Sequence, residues 1–275
     1  MKASDVCVDC LKGLADRTVS LSGGNKDILA RCHVLIENLY KKENTPAYIA
    51  NRVLKFIKKK TGVYDPYIFV KKREFDEAKK AIDVFVNIFP KTLEGSLKLS
   101  ALGNSLDFFT ECRYTLSQDE LKFHGDIDKI EEEIYINGKE VLILGDNVGD
   151  FIFDMPFIET IAEEMEKEVY YAVKEHPVQN DLSMADIARY NFDRIFPNIV
   201  STGNDEVGIT PKDMKGKVKE LWKSKATVIA KGMGNYETLT EHNAGRPVVY
   251  IMKVKCPAVS QSVGYEKGTY IAIYK

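Results

Sequence analysis

The chain has 275 residues, 44% of them apolar, enough for a sizeable core in one large domain or in a main domain with a smaller partner. Its 39 Lys and Arg against 41 Asp and Glu leave a formal charge of -2, so no global basic field points to nucleic acid, and runs such as Lys58-Lys59-Lys60 read as solvated helix ends. No run of about 18 apolar residues occurs and Met1-Lys2-Ala3-Ser4-Asp5 lacks the apolar stretch of a secretory signal, so a soluble cytoplasmic protein without a membrane partner is expected.

From about Cys7 to Phe89 the apolar positions recur at three- and four-residue intervals, which predicts helices and almost no strand. One helix covers 27–42. The next starts at Thr45, an N-cap followed by Pro46 in the first turn, and stops at Gly62. A third covers 74–89 and is closed by Pro90. The five cysteines, at positions 7, 10, 32, 112 and 256, are odd in number and scattered, unlike a disulfide framework, so reduced thiols are expected. On a helix Cys7 and Cys10 share a face; a partly buried structural pair is the first reading, and metal binding at an interface between domains the second.

After Gly138 short apolar and β-branched runs follow one another: Val141 to Gly145, Val169 to Lys174, Ile199 to Gly203, Thr227 to Gly232, Val248 to Lys255 and Thr269 to Lys275. Continuous apolar runs suit strands covered on both faces, and the helical segments between the early ones predict an open, mostly parallel α/β sheet. Ligands of such sheets sit beyond the carboxyl ends of the strands. A helix capped near Asp154 is expected after the first strand, and one starting at Tyr236 after the fourth.

The first strand ends in Gly145-Asp146-Asn147 and the second leads to Asn180-Asp181, one crossover later. Two carboxylates and an amide carbonyl are hard oxygen donors suited to Mg²⁺ or Mn²⁺, while each pair alone also fits an ordinary Asx-turn. The fourth strand ends in Lys231-Gly232-Met233-Gly234-Asn235, where glycine amides and an ammonium could hold phosphate, or where the glycines could simply turn the chain. A cation beside a lysine and a glycine loop makes phosphate ester chemistry the natural inference. No Gly-x-Ser-x-Gly elbow is present, and His33, His124, His176 and His242 lack metal-ligand spacing.

Gly145-Asp146-Asn147-Val148-Gly149-Asp150, the Pro177 to Asp181 segment, Ala230 to Leu239, Ala101 to Phe108 and Val254-Lys255-Cys256 together resemble the damage-control phosphatase family, over nearly the whole chain. Cys7-x-x-Cys10, Asp65-Pro66-Tyr67 and Lys71 further resemble its prokaryotic, largely archaeal branch with paired N-terminal cysteines. The resemblance implies a metal-dependent phosphatase of damaged phosphometabolites or sugar phosphates. It also implies a three-layer α/β/α sandwich with a helical N-terminal domain, divided here into 1–95 and 96–275. It places the metal ligands at Asp146, Asn147 and Asp181, phosphate-binding groups at Lys231 and Asn235, and a further pocket element at Gly103, Asn104 and Asp107. Two positions depart from the family's usual pattern: Asp150 stands for glutamate and Met233 for glutamine.

The expected function is therefore hydrolysis of small phosphomonoesters with a divalent ion, Mn, Co, Ni or Mg, held by Asp146, Asn147 and Asp181. Lys231, Gly232, Gly234 and Asn235 would clamp the phosphate. Water at the ion and the carboxylate of Asp146 both stay open as nucleophile, and so does the oligomeric state. The alternatives are a carboxyl methyltransferase using S-adenosylmethionine, for which a glycine-rich nucleotide loop after the first strand is missing, and a phosphometabolite-binding protein without turnover.

Overall fold

The computed structural model describes residues 1–41, 44–105, 121–242 and 245–275; Asp107 and Cys112 lie outside them. In chain order the elements are α1 (Asp5–Leu21), α2 (Lys26–Tyr40), α3 (Pro46–Thr61), α4 (Ile68–Phe85), α5 (Leu93–Gly103), β1 (Phe123–Gly125), α6 (Ile127–Ile136), β2 (Glu140–Leu144), α7 (Val148–Glu159), β3 (Glu168–Val173), α8 (Met184–Tyr190), β4 (Ile199–Ser201), α9 (Gly216–Lys223), β5 (Thr227–Lys231), α10 (Gly232–His242), β6 (Val249–Lys253), α11 (Pro257–Val263) and β7 (Tyr270–Tyr274). No described helix is long and apolar enough to cross a membrane.

The strands form a seven-stranded sheet in the order β1-β7-β6-β5-β2-β3-β4. All neighbours are parallel except β6 and β7. The six expected strands are present. β1 was not expected, because three residues paired only with β7 at the sheet edge leave no readable period in the sequence.

Side chains alternate across the sheet as the pleat requires. Val141 and Ile143 of β2 enter a core with Phe85 of α4, Leu97 and Leu102 of α5, and Phe151 and Phe157 of α7. Leu142 and Leu144 face the other way, onto Val218 and Leu221 of α9, Leu239 of α10 and Val259 of α11. Helices thus cover both faces, as the near-continuous apolar strands anticipated, and the fold is a three-layer α/β/α sandwich. A third apolar cluster joins α1, α2 and α3, through Leu11, Cys32, Ile36, Ile49 and Val53 among others, and meets the sheet layers at Ala258 of α11.

Local chemistry sets the helix ends. Thr45 caps α3 by accepting from Tyr48 N at 3.1 Å, and Gly62 closes it in the left-handed region at φ 73°. α7 does not begin near Asp154. It starts at Val148, because Asn147 and Asp150 satisfy each other's orphan amides in a reciprocal cap, with Asn147 N donating to Asp150 Oδ2 at 3.1 Å. α10 begins at Gly232 rather than Tyr236: a φ of +74° turns the chain from β5 straight into the helix.

The N-terminal helices are fastened to the loops beyond the sheet. The buried amide of Asn51 on α3 donates to Val207 O at 3.1 Å and accepts from Val207 N at 2.7 Å, as a neighbouring strand would. Lys55 adds an ion pair to Glu206 at 2.6 Å, and Lys58 donates to the carbonyl of Pro177.

Candidate active site at the sheet switch point

From β2 the chain proceeds to β3 and β4 on one side, whereas β5 and β6 fill the other. The order therefore reverses between β2 and β5, and the carboxyl ends of these two strands open the crevice in which open α/β sheets bind ligands. Leu144 of β2 is paired with Ala230 of β5 and with Ala172 of β3. The residues that follow, Gly145-Asp146-Asn147 and Lys231-Gly232, are therefore delivered to one place by registry alone.

The third contributor arrives over β3. The segment Asn180 to Leu182 folds back against the end of β2: Leu182 N donates to Asp146 O at 2.8 Å, and Asn147 and Asp181 form an antiparallel bridge. Asp146, Asn147 and Asp181 are thus gathered as expected. All three line a cavity of about 250 Å³, roofed by α1 and α3 and walled by Met233, Gly234 and Glu237 of α10. Gln179 lines it too, held at φ +44°, a region that non-glycine side chains seldom enter.

Close packing explains the glycines. A Cβ on Gly232 would lie 1.8 Å from Asp146 Oδ2, and one on Gly145 would lie 2.4 Å from Tyr171 Cε1. Gly232 is needed for its backbone angle and for the carboxylate that rests on it.

Asn104, the C-cap of α5, is fully buried between the carboxylates. Its amide donates to Asp146 Oδ2 at 2.9 Å and to Asp150 Oδ2 at 3.0 Å, and its oxygen accepts from Lys253 N at 3.2 Å. It orients Asp146 from behind and does not line the cavity. Asp150, one methylene shorter than the glutamate usual in the resembling family, is spent on capping α7 and on Asn104.

Lys231 and Asn235, expected to bind phosphate, do not line this cavity. The Lys231 ammonium is fully buried and donates to Ser100 O, Ser100 Oγ and Asp154 Oδ1, each at 2.6 Å. Asp154 also accepts from Tyr171 Oη at 2.8 Å. The pair bolts β5 to α5 and α7 beneath the site. Asn235 donates to the carbonyls of Leu144 and Gly145 at 3.3 Å and of Lys231 at 2.8 Å, lacing α10 to the end of β2.

The lysine on the cavity wall is Lys255, beyond the end of β6. Asking what each strand hands to its following loop, and applying that question to β6 as well, would have found it in Val254-Lys255-Cys256. Lys174, at the end of β3, is a second missed cation: it is buried, 3.6 Å from Asp181 Oδ2, and donates to Gly208 O at 2.9 Å.

The electrostatics of this floor call for a positive charge. Burial pushes Asp146 well above the usual carboxylate range, repulsion from Asp181 and Asp150 adds to it, and Lys255 and Asn104 oppose it. Burial raises Asp181 to about 6, against the pull of Lys174 and Lys71. Asp150 is raised by burial and eased by Lys231. Asp181 Oδ2 is buried without a hydrogen-bond partner.

A divalent cation fits this donor set. It would meet the Asp181 oxygen that has the Lys174 ammonium at 3.6 Å but no hydrogen bond, relieve the repulsion between Asp146 and Asp181, and use the second lone pair of the Asn147 carbonyl, whose first serves the α7 cap. Among the described residues no three His, Cys, Asp or Glu side chains are grouped to hold a metal ion; the donor set here is two carboxylates and one amide oxygen, fewer than the roughly six a hard divalent cation takes, so solvent or substrate would complete it.

Residues 3–271 match the model of the damage-control phosphatase ARMT1-like domain. A protein of Pyrococcus horikoshii named damage-control phosphatase is 30% identical over 99% of this chain and 98% of its own. One so named from Archaeoglobus fulgidus is 25% identical over 99% of each. The crystal structure of a DUF89 family protein from Pyrococcus horikoshii superimposes with a TM-score of 0.85 at 30% identity, covering 99% of both chains.

Proposed function

Because the chain belongs to the damage-control phosphatase ARMT1-like family and is of phosphatase type, we propose that it hydrolyses phosphomonoesters of small metabolites, sugar phosphates or damaged phosphometabolites, with a divalent metal ion. The observation that carries this reading is the meeting of Asp146, Asn147 and Asp181 at the switch point, with a buried carboxylate oxygen that has no hydrogen bond and with Lys255 on the same cavity.

Asp146, Asn147 and Asp181 would hold the ion, which is Mn, Co, Ni or Mg. When bound, it supplies positive charge to the phosphoryl oxygens. Lys255 holds the phosphate from the β6 side and balances the charge of Asp146. Asn104 and Gly232 keep the Asp146 carboxylate in one orientation, and Lys174 does the same for Asp181. The helices α1 and α3 exclude bulk water from above, and their cavity sets the size of the alcohol that can be released. In this reading residues 1–95 supply the helical roof through α1 to α3, while α4 packs with the α/β body of residues 96–275.

The test is phosphate release from a panel of phosphorylated sugars and cofactors, assayed across the four metals after chelation. Activity that is lost in Asp146→Ala and Asp181→Ala but kept in a surface control is the expected result. Inactivity with every metal on every ester tried overturns the reading.

A further inference from the structure

A second set of side chains, of types that can ligate metal, faces the same cavity and has no part in the chemistry above. Cys7 and Cys10 come from one face of α1, Cys256 from the N-terminal cap of α11, and Glu237 from α10. All four line the cavity. They come from three of the separate stretches on which the family resemblance rests, Cys7-x-x-Cys10, Ala230 to Leu239 and Val254-Lys255-Cys256, and the fold alone brings them together.

Across the cavity their charges act on one another. Among ionisable neighbours Cys256 acts most strongly on Cys10, followed by Glu237 and Cys7, and Glu237 and Cys7 act in turn on Cys256. The three thiols are free. Each α1 and α11 partner is already held in place: Cys7 Sγ lies 3.5 Å from Ser4 Oγ, and Cys256 Sγ accepts from Val259 N at 3.4 Å. Such outer contacts orient thiolate ligands in metal sites. Burial and crowding raise the Cys10 and Cys256 thiols, the condition that a bound cation reverses.

We propose that Cys7, Cys10 and Cys256 bind a soft or borderline divalent cation, zinc foremost, with Glu237 as fourth ligand. Thiolate sulfur selects zinc over magnesium and manganese, so this centre and the oxygen site of Asp146 and Asp181 take different ions although they share one cavity. Each thiol binds as thiolate and gives its proton to solvent, with no change of oxidation state. Among the described residues no three His, Cys, Asp or Glu side chains stand close enough to hold an ion, so binding at these four requires the first turns of α1 to move toward α10 and α11. Arg17 and Lys255, on the same cavity wall, offset the surplus negative charge of three thiolates and a carboxylate. The ion would tie the helical roof to the α/β body.

The inference does not depend on the phosphatase reading, and its test keeps the two apart. The full-length protein is reduced, stripped with a chelator and titrated anaerobically with Co²⁺ alone, while the near-ultraviolet thiolate-to-cobalt charge-transfer band is followed. Wild type is expected to develop the band. Cys10→Ser and Cys256→Ser are expected to lose it, and Asp181→Ala, which damages only the oxygen site, to keep it. Cys10 belongs to none of the three apolar clusters, so its serine variant is expected to retain the wild-type far-ultraviolet circular dichroism and to report on coordination and not on folding. Absence of the band in wild type, or its survival in both serine variants, overturns the proposal. So does a disulfide between Cys10 and Cys256, found by mass spectrometry, in place of metal uptake.

Discussion

Gly232→Ala separates the role of the Asp146 carboxylate from the stability of the fold. The added Cβ would stand 1.8 Å from Asp146 Oδ2, whereas real Cβ contacts essentially never fall under 3.0 Å, so the carboxylate must give way by at least 1.2 Å, the difference of the two. Because that oxygen ends a side chain and not a backbone, the fold can absorb the shift. Its cost in stability is mainly that of an alanine at φ +74°, about 1 to 2 kcal/mol. Function has no such latitude, since a displacement of about 1 Å at a reacting centre costs roughly 100-fold in rate. Gly62→Ala is the matched control: its φ is +73°, nothing lies within 4 Å of the added Cβ, and it ends α3 outside the site. Both variants are expected to melt a few degrees below wild type by calorimetry. Only Gly232→Ala is expected to lose metal affinity by titration calorimetry and about two orders of magnitude in phosphate release. Equal activity in the two variants would refute the placement of Asp146 against Gly232.

The two lysines should fail in different ways. Lys231→Met leaves Asp154 buried and uncompensated, so a loss of about 3 to 5 kcal/mol in denaturant unfolding is expected; Lys255→Met should leave the melting temperature near wild type while raising KM for the phosphoester. The reverse pattern would return the phosphate to Lys231. Chelation is expected to abolish phosphate release and re-addition of a divalent ion to restore it, with full activity after exhaustive chelation counting against a metal at Asp146, Asn147 and Asp181. In the metal-free protein Asp181 holds its proton more tightly folded, at about 6, than unfolded, at about 3.9. Its ionisation therefore costs stability as pH rises from about 4 to 6, by about 3 kcal/mol once both states are ionised. Asp181→Asn, which cannot ionise, should accordingly be the more stable protein at pH 7 after chelation and lose that advantage below about pH 4. An advantage that does not change with pH would show that Asp181 is not held in this buried setting.

The sequence by itself determined the sheet and which strand ends carry the candidate site. Apolar runs of five or six residues between helices leave few arrangements other than strands covered on both faces, so six of the seven strands and the sandwich were legible; β1 was too short to carry a period. Strand ends deliver side chains to a common edge whatever the details, which is why Asp146, Asn147 and Asp181 could be grouped before the fold was known. Only the tertiary structure decided where the long and bifunctional side chains point. Lys231 and Lys255 both follow strands, but α5 and α7 offer Lys231 a carboxylate and a carbonyl beneath the sheet, while Lys255 lies on the cavity wall. Asp150 and Asn104 were drawn inward by the need to cap α7 and to hold Asp146. The meeting of Cys7 and Cys10 with Cys256 and Glu237 is likewise a property of the packed chain. Residue spacing fixes which side chains share a helix face or a strand tip, but partners distant in sequence are chosen by packing, and a buried charge goes to the nearest group that can compensate it.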